Sequence, residues 1–163
     1  MADASSAAKL QRWLKGGMSL AQAKGFTTQD IVGIAHLAHM LYLQGKTDSA
    51  KIIFEGLEAL EPNDAFIQSA LGAIYLRDEN EAAALRHLNR ALELKPNDIY
   101  ALCNRGELRL RASMFQEATE DLRRAIALDP DGNDPAGMRA RALVSAIKEI
   151  ADMAGRKQLR GKR

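Results

Sequence analysis

The amino-acid sequence predicts an all-α solenoid of three helix–turn–helix repeats, with a helical arm ahead of them and a capping helix behind. Two observations predict it. Prolines stand at 62, 96 and 130, each 34 residues after the one before. Six further columns keep that phase: Leu60, Leu94 and Leu128; Ala50, Ala84 and Ala118; Phe54, Leu88 and Leu122; Leu57, Ala91 and Ala125; Ala38, Gly72 and Gly106; Asn63, Asn97 and Asp131. Seven positions in step over three units do not arise from composition alone.

A period of about 34 residues with small, alanine, apolar and proline slots is the signature of the tetratricopeptide repeat (TPR). Each unit is two antiparallel helices, A and B. A small residue in A and an alanine in B let the backbones approach closely, where bulkier residues would leave voids. The proline ends helix B because it cannot continue the i→i−4 ladder. The Asn or Asp after it is expected to turn the chain or cap the next helix A. One hairpin cannot bury its own apolar face, whereas stacked hairpins share one core.

The elements follow in order. Residues 1–28 form the arm: a helix over 6–14 carrying Leu10, Trp13 and Leu14, a break at Gly16 and Gly17, then a helical segment over 18–24 ending at Gly25. Trp13 serves either core or interface. The repeats fill 29–134, as units of about 31–64, 65–98 and 99–132. Helix A is expected near 30–43, 64–77 and 98–111, and helix B near 47–60, 81–94 and 115–128. Asp134 then Pro135 is a helix-start signal, so 135–154 reads as the capping helix, with Met138, Ala142, Ile147, Ile150 and Met153 on its apolar side.

Composition narrows the function classes. The 163 residues suit one domain, and net charge is +2, too small a field to drive the body onto nucleic acid. Residues 155–163 hold five basic residues and no acid, which leaves −3 on residues 1–154. This tail is expected to be disordered and solvated; nucleic-acid or membrane binding through it is the disfavoured reading. One cysteine, Cys103, precludes an internal disulfide and suits a reducing compartment. No apolar run reaches the roughly 18 residues of a membrane span. Lys9, Arg12 and Lys15 interrupt any signal-peptide core. A cytoplasmic protein is expected.

The core slots of helix A take positions 34, 37, 38 and 41 and their counterparts one and two periods on. A second face runs 32, 35, 39, 42, a spacing that aligns residues on one side of a helix. Its occupants are Val32, Ala35, His39 and Tyr42, then Phe66, Ser69, Ala73 and Leu76, then Tyr100, Cys103, Glu107 and Leu110. A merely solvated face would be polar. Solenoid curvature gathers these faces into one concave groove, which fits an extended or helical peptide with apolar anchors. Contact with a terminal helix of the same chain is the alternative, and the two can coexist.

Residues 16–76 carry more than a generic repeat. Gly16, Gly17, Leu20, Gly25, Phe26 and Thr27 lead into a helix that ends in Tyr42, Gly45 and Lys46; Ala50, Phe54, Leu57, Leu60, Pro62 and then Leu71, Gly72 and Ala73 follow. This resembles the class II chaperones of bacterial type III secretion systems, the SycD/LcrH group. The resemblance covers roughly residues 10–130. It implies a cytoplasmic, ATP-independent chaperone that keeps hydrophobic translocator proteins soluble and apart before export. It implies a groove for an extended cargo segment with spaced Pro and Leu anchors, with Tyr42, Ala73 and Glu107 at matching positions. It implies an N-terminal helix that mediates dimers, here through Leu10, Trp13 and Leu14. For some members it also implies assistance to a transcriptional activator. The chain departs from the group in several places. Aromatics are usual where Ala35 and His39 stand and common at Gln68, with Phe66 and Tyr100 offering compensating area. Arg109 occupies a core slot, and Asn104, Arg105 and Gly106 read as an ordinary TPR.

The remaining chemistry points away from catalysis. His36 and His39 have a spacing that could bind metal, but no Cys, Asp or Glu completes a site, so no metal or cofactor is expected. Cys103 lacks a base partner and reads as a small apolar residue. No phosphate loop is present, since Gly16 and Gly17 precede no Lys-Ser or Lys-Thr. Glu79 and Glu81 read as a solvated turn. Met18, Met40, Met114, Met138 and Met153 are expected to fill packing gaps. The chain is expected not to be an enzyme. A general TPR adaptor with another peptide partner is the second reading; gripping a terminal carboxylate would need convergent cations, and the inner face offers Arg77 and Arg111 at its edge.

Overall fold

The computed structural model describes residues 4–160, with side chains for 8–9 and 11–153. Among these residues all regular structure is helical: α1 Ala4–Leu14, α2 Leu20–Lys24, α3 Thr28–Leu43, α4 Thr47–Leu60, α5 Ala65–Arg77, α6 Glu81–Leu94, α7 Ile99–Arg111, α8 Phe115–Ala127 and α9 Pro135–Arg160. The pairs α3/α4, α5/α6 and α7/α8 are the three hairpins, and each stacks on the next. α1 packs on α2, and α2 on α4.

Start signals act locally. Ser19 with Gln22 and Thr27 with Asp30 form capping boxes at α2 and α3, each satisfying two otherwise unpaired backbone donors. The caps of α5 and α7 are Asp64 and Asp98, which accept from the Ile67 and Ala101 amides at 3.0 and 2.9 Å. The expected caps, Asn63 and Asn97, sit one residue too early. The turn after each proline runs a residue further, closed by the Asp64 amide to Glu61 O and the Asp98 amide to Lys95 O. Between helices A and B, positions 45, 79 and 113 all take the left-handed conformation, at φ 80, 58 and 60°. Glycine fills only the first.

The small slots do what close approach requires. A Cβ built on Gly72 would lie 2.6 Å from the Leu88 side chain, and one on Gly106 would lie 2.7 Å from Leu122. One core joins units one and two around Phe54, Leu57, Ile67, Leu71 and Ile74. A second joins units two and three to α9 around Leu88, Leu102, Leu122, Ala136 and Ala140.

α9 is a fourth helix A without its B partner. Ala140 extends the column of Ala38, Gly72 and Gly106 by one more period and is fully buried. Buried Asp129 anchors its start: it accepts from the Asn133 and Asp134 amides and from Arg141. That Arg141 bond holds the carboxyl below its ordinary pKa, against burial, with help from the two amides.

Several expectations need correction. α9 runs to Arg160, beyond 154, because the Arg, Lys, Gln and Leu residues after Gly155 are good helix formers; of the supposed disordered tail, 155–160 is therefore helical and 161–163 lies outside the described residues. Met40, Met114, Met138 and Met153 are exposed and fill no gaps. Leu37 occupies an expected core slot yet is 56% exposed, because among the described residues no helical hairpin stacks on that side of α3. Arg109 is accommodated by an ion pair: it meets Asp121 at 2.6 Å, while Arg105 binds the same carboxylate by two 2.8 Å bonds.

Candidate functional site

The inner face belongs to α3, α5 and α7. Near the N-terminal ends of these helices, Val32, Phe66 and Tyr100 are 61%, 47% and 47% exposed. They stand one period apart and form a row across the stack. His39 meets Phe66 edge-on at 5.9 Å, and Phe66 in turn meets buried Phe54 at 6.1 Å. Between α3 and α5 a cavity of about 300 Å³ is lined by Ile31, Val32, Ala35, His36, Asp64, Phe66 and Ile67.

The other nine expected residues divide. Ala35, Ser69 and Cys103 are buried, as is Leu76. The first three are one column, the position where neighbouring A helices close on each other; Ser69 there faces Asp98 at 3.4 Å. Tyr42, Ala73, Glu107 and Leu110 are half-buried, as is His39. The accessible face is therefore the first row plus the central strip. His36 and His39 gain no metal companions: among the described residues no group of three or more His, Cys, Asp or Glu could hold an ion.

Three cations join this face. The Arg77 guanidinium lies 5.8 Å from the centroid of the Tyr42 ring, a cation–π arrangement. Arg111 pairs with Glu107 at 2.7 Å. Arg139, reaching over from α9, donates to Cys103 Sγ at 3.2 Å and to Asn104 Oδ1, stands 3.9 Å from Glu107, and lies within electrostatic reach of Tyr42. Burial pushes the Cys103 thiol up despite the Arg139 bond; a thiol held protonated is a poor nucleophile. Burial, then Asp134 and Asp98, raise the Tyr100 hydroxyl in the same way. The sequence reading missed Arg139. Carrying the 34-residue period one unit further would have placed α9 against the third repeat.

Among the described residues the arm packs through α2 on α4. Trp13 and Leu14 are exposed; the Leu10 side chain lies outside the described residues. None of the helices described is long and apolar enough to cross a membrane.

A family model, Tetratricopeptide repeat, matches residues 71–146. The fold is a TPR solenoid. Solved structures similar to this solenoid include the type III secretion translocator chaperone SycD of Yersinia enterocolitica, 20% identical with a TM-score of 0.67, covering 80% of this chain and 98% of that one. PcrH of Pseudomonas aeruginosa is 23% identical with a TM-score of 0.66, covering 76% and 96%. The first TPR of Spaghetti, bound to the HSP90 peptide SRMEEVD, is 23% identical with a TM-score of 0.62, covering 75% and 96%. No curated protein matches the solenoid in sequence. At these identities the likeness is one of fold.

Proposed function

We propose that this solenoid is a cytoplasmic holding chaperone that binds an extended apolar segment of a secreted translocator protein and keeps it soluble, without cofactor or chemical step. The observation that carries the reading is the uncovered row of Val32, Phe66 and Tyr100, an apolar surface one period long per residue that a soluble monomer has no reason to leave bare. The sequence resemblance and the likeness to SycD support it, as does PcrH, which has been solved with the chaperone binding regions of PopB and PopD. Self-association through the exposed arm belongs to the same reading. Co-expression with candidate translocators should give a co-purifying complex. A Tyr42→Ala, Phe66→Ala double variant should lose it while keeping its helical circular dichroism; undiminished co-purification by that variant refutes the groove.

A TPR adaptor is the second reading, favoured by the cations at Arg77, Arg111 and Arg139 and by the likeness to a TPR that holds SRMEEVD. An adaptor of that kind should release its partner when the partner's terminal carboxylate is amidated.

A further inference from the structure

The exposed row of Val32, Phe66 and Tyr100 is bordered by carboxylates. Asp64 lines the same cavity between α3 and α5 as Phe66 and His36. Asp98 and Asp134 both lie within electrostatic reach of the Tyr100 hydroxyl, and each acts on it more strongly than Arg139 does in the opposite sense. Asp64 and Asp98 stand one period apart, each two residues before the ring it accompanies, and Asp134 precedes α9. All three accept from a backbone amide: Asp64 from Ile67, Asp98 from Ala101 and Asp134 from Ala136. The helix end behind each offsets roughly half a charge, so the edge stays negative. Lys95 stands 3.6 Å from Asp98, whereas among the described residues Asp64 and Asp134 form no ion pair. The cations of the inner face do not reverse this. Arg77 is about 16 Å along α5 from Phe66, beyond the screening length of about 10 Å, and Arg111 is paired with Glu107.

Such an edge repels acidic side chains and attracts basic ones. Lys and Arg suit it in two ways. Their aliphatic stems cover apolar surface while the charged head stays at the polar rim, and a cation over an aromatic face is attracted by the ring. We infer, resting on the proposed groove, that the segment this face holds is basic as well as apolar: its apolar residues fill the row, and adjoining Lys or Arg side chains lie against Phe66 and Tyr100 and meet Asp64, Asp98 and Asp134. Exposed ion pairs are individually weak. The apolar row therefore supplies most of the affinity, and the carboxylates decide between segments of equal hydrophobicity.

Fluorescence anisotropy with the full chain tests this. The probes are three pools of short labelled, C-terminally amidated peptides. Half the positions vary among Leu, Val, Phe and Pro, and the rest are all Lys, all Gln or all Glu, so no register is assumed. The Lys pool should bind about two- to fivefold tighter than the Gln pool for each ion pair formed at low salt, and the Glu pool weakest. High salt should shrink the differences. Asp64→Asn with Asp134→Asn should erase most of the Lys advantage without loss of helical circular dichroism, since Asn caps a helix as well as Asp does. Equal affinity of all three pools, each weakened by Phe66→Ala, overturns the basic preference and leaves the groove standing. A Glu pool that binds tightest, or a Lys advantage untouched by the Asn variant, also overturns the preference alone. Failure of every pool to bind, or indifference to Phe66→Ala, overturns the groove together with the preference.

Discussion

Positions 41 and 53, with their counterparts one and two periods on, join helix A to helix B, and each unit makes the join with different chemistry. Unit one uses Leu41 and Ile53, half-buried on the same core. Unit two stacks Tyr75 on His87, with centroids 5.3 Å apart and planes 6° from parallel. Unit three uses Arg109 and Asp121. Gln68 and Arg109 looked like misfits in the sequence because their partners lie on the other helix. The Gln68 carbonyl accepts from His87 Nδ1 at 2.8 Å, and its amide donates to Glu58 and to Pro62 O. Periodicity reveals which slots face each other but not the chemistry that reconciles them. Asp121→Ala should cost about 3 kcal/mol by urea unfolding, since it strands two half-buried guanidiniums. Arg109→Leu with Asp121→Ile, which copies unit one, should recover part of that loss, since Arg105 keeps only its bond to Asn89; a double variant no more stable than Asp121→Ala would contradict the exchange. His87 gives a pH signature. Burial lowers its pKa, and Arg86 adds to this, while Glu58 and Glu55 oppose it. The unfolded chain therefore takes up the proton first. The stability contributed is complete above the unfolded value of about 6.5 and is lost as pH falls from there through the folded one. The melting temperature should drop between pH 7 and about 5.5, and His87→Gln should flatten that drop. A wild-type melting temperature constant over the range contradicts it.

At the scale of the element, helix boundaries were legible to within about two residues because the small slots, prolines and cap residues mark both ends. Turn geometry was not. Nothing in the periodic columns marks position 79 or 113 as left-handed, since Glu and Ser stand where unit one has Gly45. Backbone of that hand costs a side-chain-bearing residue roughly 1–2 kcal/mol, partly offset by the greater freedom glycine loses on folding. Glu79→Gly and Ser113→Gly should each stabilise by about 0.5–1 kcal/mol in thermal unfolding, and more together than either alone. Destabilisation by either would show that the turn side chain contributes contacts worth more than the strain. The capping helix was legible at its start, where Asp134 Oδ1 accepts from the Ala136 amide at 2.8 Å. Its end was misread because a run of basic residues was taken as a break.

The inner face of the whole molecule was legible as a surface but not as a set of accessible atoms. Stacking leaves the columns of Val32 and His39 open and closes the column of Ala35, and a single helix wheel cannot distinguish them. The same stacking leaves an unmatched end. Leu71 and Ile74 are buried against unit one; their counterparts Leu37 and Met40 have no such hairpin against them among the described residues and are exposed. α1, with Trp13 and Leu14 also exposed, packs on α2 and leaves that end open. A second copy that brings its own arm and open end would cover both apolar surfaces at once, with the stacking the molecule already uses internally. Sedimentation velocity over a concentration series should therefore show a reversible dimer. Deletion of residues 1–15 should yield a monomer, and Leu37→Glu should do the same with the arm intact, since a charge there would be buried without a partner. Both variants should retain the wild-type helical spectrum. Sedimentation unchanged by either would mean that the open end faces solvent in solution and that the arm has another use.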